Sequence, residues 1–247
     1  MSEKIYMVSV VRDLSMYNKC IGENPCCAGV EKVMLDNRTE NLGISERYNR
    51  FIDTFTDDGW VVFCHEDWMP LEPLNLDSLD KGCLWGPIGA KMEVCEHTDF
   101  IHISGSIQQR KKDGSWHKDN RGTWKGGDTD TFDCQCVIVH SSLLREKGLR
   151  FDTQLTFDLY VEDFCAAAWQ KGIPSLIAPI RCRHYSGGTI GERFWKSLEY
   201  LREKYSDCPK RFPTPVGRRN SFGGDQSKPI LNYRRTPWAR LRYLRKK

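Results

Sequence analysis

Short apolar runs alternate with amphipathic stretches along residues 5–205 of the chain. Runs typical of β-strands occupy 5–11, 31–35, 60–64, 100–106, 115–124, 133–141 and 173–179. Helices are predicted at 43–55, where apolar residues recur at spacings of three and four, and at 162–171 and 191–205. Ser45 is the expected N-cap of the first helix, and the Gly- and Pro-containing segment 84–90 is interpreted as a loop. This alternation predicts an α/β domain with a mainly parallel sheet flanked by helices.

The composition narrows the class of protein. Of the 247 residues, 39% are hydrophobic and 28% are charged, which is ordinary for a globular protein and excludes collagen-like, coiled-coil and wholly disordered chains. No apolar run approaches the ~20 residues that a membrane span needs. The N-terminal segment resembles a first strand and not a signal peptide. The 11 cysteines are therefore expected to be thiols in a reducing, cytoplasmic location, and their spacing does not match a structural zinc site.

The net charge of +4 is unevenly distributed. Residues 206–247 hold 12 lysines and arginines and 2 aspartates, so this segment carries +10 and the remainder −6. Its prolines, glycines and charges predict a partly extended or disordered basic arm after a domain at 1–205. Residues 234–247 include a basic amphipathic end with Trp238, which predicts peripheral contact with an anionic membrane surface. A solvated, disordered tail is the alternative.

Acidic side chains stand at the ends of predicted strands. The apolar run 60–64 continues directly into His65, Glu66 and Asp67, and Asp36 follows 31–35 in the same way. Ligands of open α/β sheets bind outside the carboxyl ends of the strands, and a carboxylate there suits a divalent cation. For 65–67, capping of the next segment is an equal alternative.

Three further side chains are candidates for catalysis or metal binding only if they lie close to those acids. Glu162 and Asp163 open a predicted helix, where acids complement the helix dipole, so helix capping competes with a role in general-base catalysis. His184 follows a predicted strand and gains interest as a further metal ligand beside the acids at 65–67.

The order of these elements resembles the family 2-like glycosyltransferases of the GT-A (nucleotide-diphospho-sugar transferase) fold. The closest branch has a metal motif of His, an acid or amide, and Asp. The resemblance covers about residues 5–205 and depends on an ordered set of short motifs, namely 9–11, 36–37, 42–43 with Asn49, 62–67, 86–90, 151–152, 162–163, Gly172 and 184–188. The chain departs from the family pattern at Arg12-Asp13, at Tyr48, where an Arg often precedes the Asn, and at His65, which replaces the first Asp of Asp-x-Asp.

The resemblance implies a metal-dependent enzyme that transfers a sugar, with inversion, from a UDP- or GDP-linked donor to a hydroxyl of a glycan or lipid-linked acceptor. The implied process is polysaccharide or glycoconjugate biosynthesis. Asp67 and His184 would bind Mn²⁺ or Mg²⁺, Asp163 would be the catalytic base, and Glu162 would orient the acceptor. The residues expected to contact the donor are Val10, Arg12, Asp36, Asn37, Asn49, His65 and Glu66.

Other readings of the sequence remain. One is a catalytically inactive GT-A-like binding protein, and another is a polyanion-binding protein that acts through the basic arm. A retaining transferase on the same fold is a third. No motif indicates recognition of a specific nucleic acid.

Overall fold

The computed structural model describes residues 3–110, 114–120, 127–186, 190–216 and 219–233. The strands within these ranges are β1 (Ile5–Val11), β2 (Glu31–Asp36), β3 (Trp60–Cys64), β4 (Trp68–Pro70), β5 (Leu84–Gly86), β6 (Ile88–Glu93), β7 (Asp99–Arg110), β8 (Trp116–Asn120), β9 (Asp128–Thr129), β10 (Thr131–Phe132), β11 (Cys136–His140), β12 (Ser175–Ile177), β13 (Cys182–His184), β14 (Phe212–Pro213), β15 (Ser221–Phe222) and β16 (Ile230–Asn232). The helices are α1 (Leu14–Tyr17), α2 (Ile44–Thr54), α3 (Ser141–Glu146), α4 (Tyr160–Gln170) and α5 (Glu192–Lys204), with a short π-helix at Asn18–Gly22 and a 3-10 turn at Pro25–Cys27.

The central sheet has the strand order β2-β1-β3-β11-β5-β12-β9. Strands β2, β1 and β3 pair in parallel, as do β5 and β12. Strand β11 lies antiparallel between β3 and β5, and β9 is antiparallel to β12. The prediction of an α/β fold with a mainly parallel central sheet is confirmed.

A second, mainly antiparallel sheet is built around the long strand β7. Strands β6 and β8 pair antiparallel with β7, and β13 and β16 pair parallel with it. The prediction of a loop at 84–90 is wrong, because β5 and β6 occupy most of it. A side chain at Gly89 would approach the carbonyl oxygen of Thr131 to 2.4 Å, so this glycine allows close strand packing and does not mark a turn.

Two hydrophobic clusters cover the two faces of the central sheet. Alternate side chains of β1 divide between them: Val8 and Val10 face the cluster that includes α2, α4 and α5, whereas Met7 and Val11 face the second sheet. The apolar run of β3 is buried along its whole length because both faces are covered. Both faces of the central sheet are therefore packed, and this packing holds the carboxyl ends of its strands in place.

The N-cap of helix α2 lies two residues before the one that the sequence indicates. Its N-cap is Gly43, and the side chain of Ser45 lies within the first turn, where its Oγ donates a hydrogen bond to the carbonyl of Leu155 at 2.6 Å. The predicted N-cap role of Ser45 is wrong, because its hydroxyl joins the helix to the segment before α4. The backbone N–H of Ile44 donates to the carbonyl of Thr156 at 2.9 Å in the same place.

The described part of the predicted basic arm packs against the domain. Phe212 and Phe222 are fully buried and stack with ring centroids 5.3 Å apart. Arg211, also buried, contacts Asp99 at 2.7 Å. The arm thus begins inside the fold, whereas 234–247, the predicted membrane contact, lies outside the described residues. Within the ranges given above, no helix is both long and apolar enough to cross a membrane.

Candidate active site

A cavity of about 620 Å³ opens beyond the carboxyl ends of β1, β2 and β3. Its wall combines residues that follow each of these strands with residues before β11, after β13 and at the start of α4 and α5. This is the edge at which open α/β sheets bind ligands. The lining residues discussed below are Val10, Arg12, Asn37, Asn41, Leu42, His65, Glu66, Asp67, Asp133, Cys134, Phe157, Asp158, Leu159, Glu162, His184 and Arg193.

His65, Asp67 and His184 meet in this cavity. His65 and Asp67 follow β3, and His184 is the last residue of β13. One ligand atom from each side chain lies within 4.8 Å of the other two. The Asp67 Oδ1 is 3.1 Å from the His184 Nε2 and 4.0 Å from the His65 Nδ1. The structure therefore brings together Asp67 and His184, the predicted metal ligands, and adds His65 to them.

The three side chains influence one another's ionisation. Burial opposes the charge on Asp67, but contacts with His184 and His65 outweigh it and hold the pKa of this carboxyl at about 2. Burial alone would lower the pKa of His184, yet Asp67 raises it overall. Burial lowers the pKa of His65 to about 4. Asp67 is thus ionised and His65 neutral at pH 7, which are the protonation states that metal ligands need.

The donor set fits a divalent cation. The nitrogens that face the Asp67 carboxylate are Nδ1 of His65 and Nε2 of His184. The Nε2 of His184 is buried and makes no well-aligned hydrogen bond with the residues that the structure describes, and a buried nitrogen of this kind is costly unless a ligand satisfies it. Two imidazoles with one carboxylate favour a first-row transition-metal ion over Mg²⁺, which prefers oxygen ligands alone.

Aromatic packing fixes the position of His65. Its ring stacks on Phe157 with centroids 5.4 Å apart and lies 6.1 Å from the ring of Tyr160. Between these two aromatics Leu159 adopts the left-handed conformation, with φ 62°, and is buried. A non-glycine residue held in this region costs about 1–3 kcal/mol and is often found at functional sites.

Glu66 supports the cavity through the backbone. Its Oε2 accepts hydrogen bonds from the backbone N–H groups of Arg12 and Asp13, at 2.6 and 2.8 Å. These bonds connect the end of β1 to the end of β3. Glu66 lines the cavity together with Val10 and Arg12, but the carboxylate of Glu66 already has these two partners.

Asn37 and Asp36 have different surroundings. The side chain of Asn37 closes the loop after β2, accepting from the N–H of Leu42 and donating to its carbonyl, both at 2.9 Å, and it lines the cavity. Asp36 lies at the surface outside the residues that line the cavity, paired with Arg38 at 2.6 Å. Hydrogen bonds from Arg38 lower the pKa of Asp36.

Asn49 is placed away from the cavity lining. Its side-chain amide donates to the carbonyl of Phe151 at 2.7 Å and accepts from the N–H of the same residue at 2.9 Å. Both hydrogen bonds join α2 to the segment that leads to α4. Asn49 thus positions the wall that carries Phe157 and Leu159, and its contact with the donor stays a prediction.

Glu162 reaches the cavity from the first turn of α4. Its side chain is fully buried, and the Sγ of Cys134 donates a hydrogen bond to its Oε2 at 2.9 Å. Burial raises the pKa of Glu162 to about 8. A carboxyl with a pKa near the working pH is suited to proton transfer.

Asp163 does not line the cavity, although the sequence resemblance assigns it as the base. Its carboxylate is 1% exposed and contacts the Nζ of Lys204 at 2.6 Å and the hydroxyl of Tyr205 at 2.9 Å. Lys204 also contacts Asp152 at 2.6 Å. Burial opposes the charge on Lys204, but the two carboxylates outweigh it and raise its pKa. Asp163 is therefore the buried member of an ion-pair network that joins α4 to α5, and its role as the base stays a prediction.

Several lining residues, among them Asp133 and Arg193, are not predicted from the sequence, whereas Arg12 is predicted as a contact of the donor. Arg193 on α5 donates from its Nε to Asp158 at 2.5 Å, and its guanidinium lies 4.5 Å from the ring centroid of Phe157. Arg12 donates to the side chain of Asn41 across the cavity mouth. Asp133 lies just before β11. The sequence signal for these residues is weak, since only the end of a strand marks Asp133 and nothing distinguishes Arg193 from other surface arginines.

Comparison with known proteins places the fold. No protein-family model matches the chain, and no curated protein matches it. The chain is similar to the crystal structure of GalNAc-T7 with UDP, GalNAc and Mn²⁺, with a TM-score of 0.53 and 10% identity over 83% of this chain and 49% of that one. It thus spans about half the length of the GalNAc-T7 chain. A truncated form of S. aureus TarS aligns with a TM-score of 0.47 and 10% identity over 82% and 65% of the two chains, and A197 from STIV with 0.42 and 11% over 74% and 86%. The likeness to GalNAc-T7 shows a GT-A fold, as the sequence resemblance predicts.

Proposed function

We propose that this protein is a metal-dependent glycosyltransferase that transfers a sugar from a nucleotide-diphosphate donor to a hydroxyl of a glycan or lipid-linked acceptor, with inversion. The observation that carries the proposal is the cluster of His65, Asp67 and His184 at the carboxyl end of a GT-A sheet, inside a cavity large enough for a nucleotide sugar. A family identity is not needed for this argument, because it depends on the site and not on the fold alone.

Within the proposal, the cluster holds the cation with Asp67 as its anionic ligand and the two imidazoles as neutral ones. The bound cation would stabilise the charge that develops on the departing nucleotide diphosphate. Arg12 and Arg193 flank the same cavity from the ends of β1 and the start of α5, and their guanidinium groups are suited to contact the phosphates. Asn37 and the loop it closes would lie against the base of the nucleotide.

Glu162 is the residue we propose as the general base, in place of Asp163. It reaches the cavity, whereas Asp163 is committed to Lys204 and Tyr205. With a pKa raised to about 8, the Glu162 carboxylate is a stronger base than an ordinary glutamate and can remove the acceptor hydroxyl proton as the glycosidic bond forms. Asp163 is then a positioning residue that fixes the first turn of α4.

Nucleotide binding tests the proposal directly. In the full-length protein, UDP and GDP are each titrated by calorimetry with and without Mn²⁺. We expect Mn²⁺-dependent binding of one of them that Asp67→Asn reduces at least about tenfold, because loss of the anionic ligand should cost no less than the roughly 10–100-fold that loss of a partner behind a ligand costs. Asp77→Asn, a change of an exposed aspartate far from the cavity lining, is the matched control and should bind as the wild type does.

Turnover separates a transferase from a binding protein of the same fold. Wild type, Glu162→Gln and Asp163→Asn are incubated with a panel of nucleotide sugars, and release of the nucleotide is measured with Mn²⁺ present. The proposal expects slow hydrolysis of a donor by the wild type and its loss in Glu162→Gln. Absence of Mn²⁺-dependent nucleotide binding in the wild type would remove the proposal altogether.

A further inference from the structure

Beside the cavity, one face of the second sheet carries three cationic side chains and two aromatic rings. The guanidinium of Arg183 lies 4.7 Å from the ring centroid of Trp116, and the Nζ of Lys19 lies 4.5 Å from that of Tyr185. Arg110 lies 5.8 Å from the same Tyr185 ring, and the two rings meet edge to face at 4.8 Å. These five residues are called the cationic patch below.

Strand register places most of the cationic patch on a single face. Arg110 on β7 pairs directly with Trp116 on β8, and Arg183 on β13 pairs with Gln108, two residues before Arg110. Side chains at directly paired positions, and at every second position along a strand, share one face. Tyr185 lies two residues beyond Arg183, and Lys19 reaches its ring from the turn after α1.

In the part of the chain that the structure describes, the cations of the patch have no carboxylate partner. None of Lys19, Arg110 and Arg183 takes part in an ion pair with another residue that the structure describes. Elsewhere in the chain comparable side chains are neutralised, as for Lys91 with Asp128 or Lys204 with Asp152. Three neighbouring positive charges without a counter-charge among the described residues, on a body whose net charge is negative, constitute a surface complementary to an anionic ligand.

The patch adjoins the proposed metal site. Tyr185 follows His184 directly, and its backbone N–H donates to the carbonyl of Asp67 at 3.2 Å. A ligand that extends out of the cavity past His184 would therefore reach the Tyr185 and Lys19 end of the patch first, and Trp116 and Arg183 after it.

We infer that the cationic patch binds the acceptor of the proposed reaction and that this acceptor is a glycan with anionic groups along its chain, an inference that rests on the proposed function. Guanidinium and ammonium groups would pair with the acidic groups, and the edges of Trp116 and Tyr185 would contact the apolar faces of the sugar rings. The large hydrophobic side chains that are exposed in the described part of the chain lie elsewhere, so the patch has no apolar anchor for a membrane. Three positive charges on one small face are also fewer than a nucleic-acid-binding surface typically has.

The test measures binding of defined polymers to the full-length protein by calorimetry, at low and at physiological salt. The probes are neutral dextran, carboxymethyl-dextran and phosphorylated dextran of one chain length, with single-stranded DNA and phosphatidylglycerol vesicles as other polyanions. The patch variant replaces its three cations by glutamine, and the control variant replaces three exposed lysines elsewhere, so both lose the same charge. The substitutions are Lys19→Gln, Arg110→Gln and Arg183→Gln in the first and Lys4→Gln, Lys147→Gln and Lys171→Gln in the second.

We expect at least one charged dextran to bind at least about tenfold more tightly than neutral dextran, and the patch variant to lose that difference while the control variant keeps it. Carboxymethyl and phosphorylated dextran then distinguish a carboxylate from a phosphate ester as the recognised group. Trp116→Leu keeps every charge and should still weaken binding, because it removes the ring beneath Arg183. Equal losses in both triple variants, equal binding of neutral dextran, or a patch variant that loses binding of DNA or vesicles by as large a factor as binding of the charged dextrans would overturn the inference.

The same samples keep this inference separate from the proposed function. Mn²⁺-dependent nucleotide binding should be unchanged in the patch variant, because none of its three substitutions lies in the cavity lining. If the wild type binds no nucleotide while the patch binds charged dextran, the proposed function fails and the glycan-binding surface stands. If the nucleotide binds and the charged dextrans do not, the reverse holds.

Discussion

Glu162 gives the sharpest prediction, since its proposed catalytic role should have a cost in stability. The substitution is Glu162→Gln, which keeps the shape of the side chain and removes its titration. Burial raises the pKa of the Glu162 carboxyl from its ordinary value of 4.5 to about 8. Between these two pH values the folded protein holds a proton that the unfolded chain has lost. The free energy of unfolding of the wild type therefore falls as pH rises across this window, and the fall is complete above the folded pKa.

The size of the effect follows from the width of the window. One pH unit corresponds to about 1.36 kcal/mol, so the wild type should lose roughly 3–4 kcal/mol between pH 5 and pH 8 through this group alone. Glu162→Gln should lack that component. The variant should therefore become progressively more stable than the wild type as pH rises, while donor turnover falls by about 10²-fold or more.

Urea unfolding followed by tryptophan fluorescence at a series of pH values measures the difference. Glu199→Gln, which changes an exposed glutamate on α5, is the matched control and should follow the wild type at every pH. A constant difference in unfolding free energy between Glu162→Gln and the wild type from pH 5 to pH 8 would refute the reasoning. So would an unchanged turnover, which would separate the buried carboxyl from the chemistry.

Three further predictions concern residues outside the reacting centre. Asp163→Asn should lower the free energy of unfolding by about 1–3 kcal/mol, because the buried carboxylate gives up its charge-assisted hydrogen bonds with the partly exposed Lys204 and with Tyr205, yet change turnover less than Glu162→Gln does, as parallel urea and nucleotide-release assays can show. Arg211→Met should cost about 3–5 kcal/mol in urea unfolding by leaving the buried Asp99 unpaired, and Arg211→Lys should recover part of it. Removal of 234–247 should abolish sedimentation with anionic liposomes at low salt; full retention of sedimentation would contradict a membrane contact there.

The elements that the sequence predicts well are those whose pattern is local. The run at β3 reads as a buried strand because all five residues are apolar, and α2 is visible because Tyr48 and Ile52 recur on one face. Asp67 and His184 were found because each stands at the end of a strand, a position that topology brings to one edge of a sheet. The family resemblance predicts their pairing, and the structure places the Nε2 of His184 3.1 Å from the Asp67 carboxylate, where one cation can contact both.

The elements that the sequence pattern does not predict depend on contacts between segments that are distant along the chain. Phe212 and Phe222 are isolated apolar residues in a basic segment, so composition favours an extended arm, whereas their stacking and the Arg211–Asp99 ion pair place them in the fold. The strands within 84–90 are not predicted because their glycines indicate a loop, whereas in the structure a glycine such as Gly89 allows close packing of the strands. No periodicity reports such long-range packing, because the partner is far along the chain.

The adjacent acids Glu162 and Asp163 show the same limit at the site itself. Successive residues of an α-helix point about 100° apart, so two neighbouring carboxylates in the first turn of α4 cannot both face the cavity. The sequence does not report the rotation of the helix, which is set by Lys204 and Tyr205 holding Asp163 on one side and by Cys134 meeting Glu162 on the other. The two acids thus have different roles. Asp163 is neutralised by Lys204 and fixes the position of the helix. The helix in turn places Glu162, which has no cationic partner among the described residues, at the cavity with a raised pKa. A helix held less firmly would let water reach Glu162 and return its pKa to the ordinary range, so the ion pair on α5 and the basicity of Glu162 are parts of one arrangement.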